Sequence, residues 1–210
     1  MKNVMIALGL VLGCVSGALA GDAAAGKGKT LVCSACHGAD GNSAAATFPK
    51  LAGQNEKYLI KQMMDINSGA RPVPTMAGQL DNMSAEDIGN IAAFYAGQTN
   101  SGGQTSAELL ELGQKVYRAG VSARGVAACA ACHSPRGGGN APAGFPALAG
   151  QHADYIADQL RRFRIGAENT LEQNPAARTN DGDGRMMRDV AAGMSDNQIE
   201  AVSSYIAGLH

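Results

Sequence analysis

The sequence predicts an all-α protein made of two tandem, similar helical domains. Three observations predict it: the second half of the chain repeats the first, apolar residues recur at helical spacing in both halves, and no segment alternates convincingly between apolar and polar residues. We expect the domains at 21–99 and 105–210, with a polar linker at 100–104 between them.

The repeat consists of three aligned blocks, at offsets of 96, 97 and 111 residues: 33–37 with 129–133, 48–54 with 145–151, and Met76 with Met187. The second copy therefore carries one extra residue after its first block and 14 more before its third. This 14-residue insertion falls within 169–185, which is rich in Asn, Asp, Gly and Arg. We predict a surface loop there.

The predicted helices follow from start and stop signals. Ser-x-x-Asp at 84–87 and Ser-x-x-Gln at 195–198 have the pattern of a capping box. Each is followed by an apolar helical face and then by a glycine stop, at Gly97 and Gly208. Four further helices are predicted at about 24–35, 56–68, 107–119 and 152–165.

Residues 1–20 have the features of a removed secretory signal peptide. Ala18-Leu19-Ala20 has the small-x-small form that signal peptidase prefers. The strongly apolar part, 4–15, is shorter than the ~20 residues of a membrane-spanning helix, which disfavours a permanent anchor. A lipoprotein-like processing site at Cys14 is a further interpretation. We therefore expect a periplasmic protein, either soluble or associated with the membrane surface.

Charge and composition narrow the functional class. Lys and Arg total 17 against 18 Asp and Glu, so the net charge of -1 excludes the broad cationic surface of a nucleic-acid binder. The sequence has no Trp, 4 Phe and 5 Tyr, although 45% of its residues are hydrophobic. Such a chain builds its core from small and aliphatic residues, unless a bound cofactor supplies flat apolar surface.

Four of the five cysteines lie in two C-x-x-C-H motifs, Cys33/Cys36/His37 and Cys129/Cys132/His133. This is the attachment pattern of c-type haem, because two thiols about one helical turn apart can each add across a vinyl group of one porphyrin. The adjacent histidine then lies beneath the iron as an axial ligand. Two structural disulfides are the simplest alternative. A four-cysteine zinc site would leave both histidines unexplained, and a thioredoxin-like pair needs a βαβ setting that we do not find. We predict two haem c groups, one covalently bound in each helical domain.

The second axial ligands are expected among the methionines. Two pairs repeat between the copies: Met76 with Met187, and Met83 with Met194. Met83 and Met194 precede the N-cap serines and have a structural role as hydrophobic staples. Met76 and Met187 have no such role and lie in stretches that can fold over a haem face. We therefore predict Met76 and Met187 as ligands, with Met186 as a rival to Met187.

The other candidates lack a matching residue in the other copy. Met63 and Met64 align with Leu160 and Arg161, His152 aligns with Asn55, and His210 has no counterpart. Pro49 and Pro146 follow His37 and His133 by 12 and 13 residues. A loop at each proline can present a carbonyl to the histidine ring N–H and fix its orientation, although a simple loop turn also explains them.

These residues closely resemble the dihaem cytochromes of the c4 family over the whole mature chain. The resemblance includes both C-x-x-C-H motifs, both Phe-Pro-x-Leu-Ala-Gly-Gln segments, the run Arg-Thr-Asn-Asp-Gly-Asp at 178–183 and the ending at 203–210. It implies two class I cytochrome c domains with neighbouring haems, His/Met ligation through Met76 and Met187, and electron transfer from quinol oxidation to a terminal oxidase. The Pro-containing stretch 71–74 departs from the family pattern.

His/Met ligation closes both axial positions and raises the reduction potential. We therefore expect an electron carrier with two one-electron centres and no enzymatic activity of its own. The alternative is the haem subunit of a periplasmic dehydrogenase, such as a flavocytochrome that oxidises sulfide. A dihaem peroxidase is disfavoured because it needs an iron that can open. Arg161, Arg162 and Arg164 are interpreted as a solvated helix face.

Overall fold

In the computed structural model, which describes residues 21–210, every regular element is helical except for two isolated β-bridges. The bridges pair Val121 with Val126 and Asn140 with Phe145. The predicted all-α fold class is therefore confirmed. Residues 1–20, which include the predicted signal peptide and Cys14, lie outside the described residues.

From residue 21 onward, the N-terminal half contains four α-helices: α1 (Ala23–Lys29), α2 (Leu31–His37), α3 (Glu56–Asn67) and α4 (Ala85–Ala96). A 3₁₀ turn at Pro74–Met76 lies between α3 and α4. The single helix predicted at 24–35 is two helices, because the chain breaks at Thr30 between α1 and α2. Thr30 Oγ1 donates to the Lys27 carbonyl at this break, at 2.9 Å.

The C-terminal half contains five α-helices: α5 (Leu110–Ala119), α6 (Ala130–His133), α7 (Ala153–Glu168), α8 (Met186–Ala192) and α9 (Asp196–Ala207). Short 3₁₀ turns lie at Ala107–Leu109 and Ser122–Arg124. The helix α7 continues past its predicted end at 165, and α8 was not predicted. The segment 169–185 consists of turns and irregular chain, as expected of the insertion.

Both predicted capping boxes are present. Ser84 Oγ accepts from the Asp87 N–H and Ser195 Oγ accepts from the Gln198 N–H, at 3.0 and 3.3 Å. The Asp87 and Gln198 side chains accept in return from the serine N–H groups. These boxes satisfy donors that a helix start leaves unpaired.

Each half packs its own apolar core. In the N-terminal half α1 crosses α4, and in the C-terminal half α5 crosses α9. The second crossing is very close, because a Cβ added at Gly113 would lie 2.3 Å from the Ala201 carbonyl oxygen. The N-terminal core is small: Leu59, Ile91, Ala92, Phe94 and Tyr95. The C-terminal core is larger and includes Val116, Tyr117, Ile156, Leu160, Met194 and Ile199.

A buried polar cluster joins the two halves. It contains two pairs that the repeat aligns, Tyr58 with Tyr155 and Gln62 with Gln159, and two arginines, Arg71 and Arg178. Arg71 donates to Gln62, Tyr155 and Gln159, at 2.8 to 3.0 Å. Arg178 donates to Gln159, Gln62 and Tyr58, at 2.7 to 3.2 Å. Each arginine therefore bridges both halves, and shared amide and phenol oxygens satisfy the two buried guanidinium groups.

The segment 100–104 is also tied to both halves. The Ser101 N–H donates to Asn42 Oδ1 at 2.8 Å, and Asn100 Nδ2 donates to the Ala149 carbonyl at 3.4 Å. The buried Lys50 ammonium donates to the Gly102 carbonyl. These contacts hold the segment against the protein along its length.

Candidate haem-binding sites

The two C-x-x-C-H motifs have the same helical arrangement. His37 ends α2 and His133 ends α6, and each is buried. The first cysteine of each motif is partly buried and the second is exposed, and all four are free thiols. The structure therefore places two thiols and an imidazole on one turn of helix in each half, without the disulfides considered above.

Burial keeps the inner thiols protonated. Desolvation raises the pKa of Cys33, although its own backbone and Tyr95 partly offset the rise. Desolvation also raises the pKa of Cys129 to about 11. A cysteine binds zinc as the thiolate. Within residues 21–210 no group of three or more His, Cys, Asp or Glu side chains is placed to hold a metal ion.

Each histidine ring is oriented by a proline carbonyl. His37 Nδ1 donates to the Pro49 carbonyl oxygen at 2.9 Å, and His133 Nδ1 donates to the Pro146 carbonyl oxygen at 3.0 Å. Burial lowers the pKa of both histidines, and these hydrogen bonds partly oppose the shift. The rings are therefore neutral at pH 7, with Nε2 as the remaining nitrogen for an iron.

The residue that follows each histidine has the same unusual backbone conformation. Gly38 has φ 80° and ψ 154°, and Ser134 has φ 68° and ψ 157°. Only glycine adopts this region without strain. Ser134 is held there because its carbonyl accepts from the Tyr117 hydroxyl at 2.7 Å and its Oγ accepts from the Gly138 N–H at 2.9 Å.

The two predicted methionine ligands lie on differently built segments. Met76 ends the 3₁₀ turn that begins at Pro74, and its N–H donates to the Val73 carbonyl at 2.8 Å. It lines an open cavity of about 320 Å³ with Ile66 and Leu80. This segment therefore takes its shape from local turn chemistry and two prolines.

Met187 lies in the first turn of α8 and is anchored by Asp181. One carboxylate oxygen of Asp181 accepts from the Met187 and Arg188 N–H groups, at 3.0 and 2.9 Å. The other accepts from Arg188 Nε at 2.6 Å. Met187 is partly buried against the C-terminal core, whereas its rival Met186 is 51% exposed. The insertion loop thus holds Met187 in place through Asp181.

The remaining candidates have other surroundings. Met194 is 2% exposed within the C-terminal core, Met83 and Met63 pack against the N-terminal core, and Met64 is exposed. His152 Nε2 lies 3.0 Å from both the Oγ and the carbonyl oxygen of Ser43, across the two halves. The exposed His210 Nδ1 lies 3.0 Å from the Gly208 carbonyl. Arg161, Arg162 and Arg164 pair with Asp158 or Asp196 on the surface.

The side chains present fit a covalently bound haem in each half. Two cysteine thiols one turn apart match the two vinyl groups. A neutral, oriented imidazole on the same turn and a thioether on a separate segment match the two axial positions of the iron. Because the sequence has no Trp, 4 Phe and 5 Tyr, a porphyrin would be the largest flat apolar surface in each half.

Comparison with known proteins agrees with this arrangement. The cytochrome c family model matches residues 24–97 and again 110–210. A cytochrome c4 from Azotobacter vinelandii is 50% identical over the full length of both chains. The crystal structure of reduced recombinant cytochrome c4 from Pseudomonas stutzeri superimposes with a TM-score of 0.85, at 50% identity, over 91% of this chain and 100% of that one. A thiosulfate dehydrogenase electron acceptor from Stutzerimonas stutzeri is 36% identical over 85% of this chain and 79% of that protein.

The fold and the repeated sites define a dihaem c-type cytochrome, an electron-transfer protein that binds two haem c groups. It is not an enzyme. The chain belongs to the cytochrome c4 family, as its sequence motifs predict.

One further finding concerns the membrane. Among residues 21–210, no helix is both long and apolar enough to cross a bilayer.

Sequence reasoning assigned no role to Gln54, Gln151 or Asp181, which make the contacts described here and below. Gln54 and Gln151 end the repeated Phe-Pro-x-Leu-Ala-Gly-Gln segments, so the repeat identified them without indicating a role. Asp181 lies in the insertion and has no counterpart in the first copy, so no repeat could point to it. The sequence offers one indication of its role: Asp181 lies six residues before Met187, close enough for its carboxylate to accept hydrogen bonds from the first N–H groups of a helix there.

Proposed function

We propose that this protein is a periplasmic carrier that receives electrons from a quinol-oxidising complex and passes them to a terminal oxidase. The observation that supports the proposal is that each half has a histidine whose ring bonds a proline carbonyl and also has a methionine on a separate segment. An iron with both axial positions filled exchanges electrons without binding substrate. Two such irons give one molecule a capacity of two electrons.

We propose specific roles for the site residues. Each thiol of Cys33, Cys36, Cys129 and Cys132 adds across one vinyl double bond, so that the sulfur bonds to one carbon and the hydrogen to the other. His37 with Met76, and His133 with Met187, are the axial ligands. Pro49 and Pro146 orient the histidines through their carbonyls. We place the two domains at 21–99 and 105–210, joined by 100–104, after removal of residues 1–20.

The haem supplies reversible one-electron oxidation and reduction at its iron. The residues of the chain around the haem set the reduction potential at which that exchange occurs. A neutral histidine and a thioether raise the potential relative to ligation by two histidines or by a thiolate. His37 and His133 are buried, so each would hold its haem iron on a side that water does not reach. Both features suit a carrier on the high-potential side of respiration.

Mass and ligand substitution test the sites. The mature protein, expressed with a functional cytochrome maturation system, should exceed its polypeptide mass by two haems. Met187→Ala should open one iron to added cyanide and lower its potential. Met186→Ala is the matched control, because Met186 is the exposed neighbour and should leave the spectrum unchanged. The bare polypeptide mass, or an open iron in Met186→Ala alone, would contradict these assignments.

A partner assay tests the function. The reduced protein should be oxidised at both haems by purified terminal oxidase, and a purified quinol-oxidising complex should reduce it again. The rates should fall at high salt if charged surfaces steer docking. The proposal fails if neither complex exchanges electrons with the native protein while a small-molecule donor and acceptor still do.

The second candidate is electron acceptance from a thiosulfate dehydrogenase. The similarity to the thiosulfate dehydrogenase electron acceptor, which aligns with 85% of this chain at 36% identity, favours it. In that case purified thiosulfate dehydrogenase with thiosulfate should reduce this protein rapidly. A sulfide-oxidising flavoprotein tests the remaining dehydrogenase alternative in the same assay. Rapid reduction by either one, with no oxidation by the terminal oxidase, would replace the respiratory proposal.

A further inference from the structure

We propose that Gln54 and Gln151 are positioning residues that each set the reduction potential of the haem in the other domain. Each side chain crosses the interface and binds the peptide group that orients the opposite axial histidine. This inference rests on the proposed roles of His37 and His133 as iron ligands.

Gln151, in the C-terminal half, forms two hydrogen bonds with the backbone of Lys50 in the N-terminal half, an arrangement that we call a clasp. Its Oε1 accepts from the Lys50 N–H at 2.9 Å, and its Nε2 donates to the Lys50 carbonyl at 2.8 Å. Both residues are buried. The side-chain amide therefore pairs with the Lys50 backbone as a neighbouring strand would.

Gln54 makes the reciprocal clasp on Ala147. Its Oε1 accepts from the Ala147 N–H at 2.8 Å, and its Nε2 donates to the Ala147 carbonyl at 2.9 Å. Lys50 and Ala147 are themselves equivalent positions in the repeat. The two clasps are thus related by the same pseudo-symmetry as the two domains.

Each clasped residue follows the proline whose carbonyl orients a histidine. The Pro49 carbonyl and the Lys50 N–H are the two ends of one peptide group, which accepts from His37 at 2.9 Å and donates to Gln151 at 2.9 Å. The group formed by Pro146 and Ala147 accepts from His133 at 3.0 Å and donates to Gln54 at 2.8 Å. Each axial histidine is therefore two hydrogen bonds from a glutamine of the other domain.

The direction of the shift in reduction potential follows from polarisation along these consecutive hydrogen bonds. An acceptor on the N–H end of a peptide increases the negative charge on its carbonyl oxygen, because hydrogen bonds in series strengthen one another. The histidine N–H then donates to a better acceptor, and its ring becomes more electron-rich. An electron-rich ligand favours ferric over ferrous iron, so each glutamine lowers the potential of the opposite haem.

The glutamine amides are fixed for this role by contacts within their own domain. Gln54 Oε1 also accepts from the Asn55 N–H at 2.9 Å, and Gln151 Oε1 also accepts from the His152 N–H at 3.1 Å. Both side chains are buried, which strengthens the electrostatic effect of each bond. The orientation of each amide is therefore set before it meets the other domain.

The test compares Gln151→Met and Gln54→Met in the full-length holoprotein by redox titration. Methionine keeps similar volume and no charge but lacks the amide. Because neighbouring hydrogen bonds strengthen one another by only roughly 10–30%, we expect a small change, on the order of twofold in the one-electron equilibrium constant, which is about 18 mV at 59 mV per tenfold. Gln151→Met should raise mainly the potential of the Cys33/Cys36 haem, and Gln54→Met mainly that of the Cys129/Cys132 haem.

Two further measurements separate this effect from a loss of interface stability. In the ferrous protein, the His37 Nδ1–H proton resonance should move upfield in Gln151→Met and stay in place in Gln54→Met. Lys57→Met is the control, since it removes another hydrogen bond between the halves, from the exposed Lys57 Nζ to the Pro142 carbonyl at 3.0 Å. It should leave both potentials and both histidine resonances unchanged.

The inference is overturned if each glutamine variant shifts the haem of its own domain, or if both variants and the control shift both haems equally. It is also overturned if spectra show intact His/Met ligation and neither potential moves. These outcomes are distinct from failure of the proposed function, which would appear in the native protein as absent haem, a different axial ligand or no exchange with the respiratory complexes.

Discussion

Replacing Asp181 by alanine should loosen the Met187–iron bond of the second haem and leave the first haem intact. The Asp181 side chain is 5% exposed, and its Arg188 partner is 12% exposed. The carboxylate accepts three hydrogen bonds, two of them from N–H groups in the first turn of α8. Its loss leaves those donors unpaired and removes the charge opposite Arg188.

The size of the effect follows from these contacts. Breaking a fully buried ion pair costs about 3–5 kcal/mol. Arg188 is slightly exposed and keeps a bond from Nη2 to the Gly182 carbonyl at 2.7 Å, so we expect a smaller cost of about 2–3 kcal/mol. At 1.4 kcal/mol per tenfold, transient opening of the Met187–iron bond should rise about 30- to 140-fold.

Cyanide binding to the ferric protein measures this opening. The second haem of Asp181→Ala should bind cyanide faster by about that factor, and its methionine-to-iron absorption band should disappear at lower temperature. Asp189→Ala is the matched control, because Asp189 lies on the same helix and pairs with Arg185 in an exposed bridge of 3.3 Å. Exposed bridges contribute about 1 kcal/mol or less, so the control should change the rate only a few fold. Equal effects of the two variants, or opening of the first haem in Asp181→Ala, would refute the anchoring role.

Three other predictions concern the scaffold and are read from thermal unfolding of the holoprotein. Ser134→Gly should raise Tm, because relief of about 1–3 kcal/mol of backbone strain exceeds the loss of one exposed hydrogen bond, whereas Ser134→Ala should lower it. Hydrogen bonds from Lys29 and Ser84 lower the pKa of Asp87. The Asp87 carboxylate therefore stabilises the fold above its ordinary pKa, and this stabilisation is lost as the pH falls through the lowered pKa. The difference in Tm between the native protein and Asp87→Asn should disappear over that pH range and persist at pH 7. Gly113→Ala should cost about 1–3 kcal/mol through the clash with Ala201, while Gly89→Ala, which meets no atom within 4 Å, should stabilise α4 by about 0.5–1 kcal/mol.

The sequence revealed those parts of the fold and site whose signals are local. The capping boxes at Ser84 and Ser195 require only residues three positions apart, and both are present. The helix α8 gave no such signal, since its first turn is capped by Asp181 from outside the helix and its N-cap, Arg185, has φ 48°. The break at Thr30 was also missed, because its only signals are Gly28 and Thr30, with no proline and no capping box beside them.

Contacts between the halves lay beyond sequence reasoning for a different reason. The repeat shows that Gln54 and Gln151 are equivalent, but a repeat within one chain does not state how its copies face each other. Only the pseudo-symmetric packing of the halves brings each glutamine to the proline peptide of the other. The same holds for Arg71 and Arg178, which the sequence alone would place on the surface and the structure buries.

The two haems should have unequal potentials, and the structure indicates which side of the iron makes them differ. The histidine sides are nearly identical, with Nδ1 to carbonyl distances of 2.9 and 3.0 Å and one clasping glutamine each. The methionine sides differ, since Met76 follows a proline turn beside an open cavity and Met187 is tied to a buried carboxylate. Water access and nearby charge both tune haem potentials, so a redox titration should resolve two one-electron steps. Asp181→Asn removes the charge while keeping an acceptor, and it should shift the step of the second haem alone, which assigns the two steps to the two domains. A single unresolved step in the native protein, with both irons His/Met ligated, would contradict the argument that methionine surroundings separate the two centres.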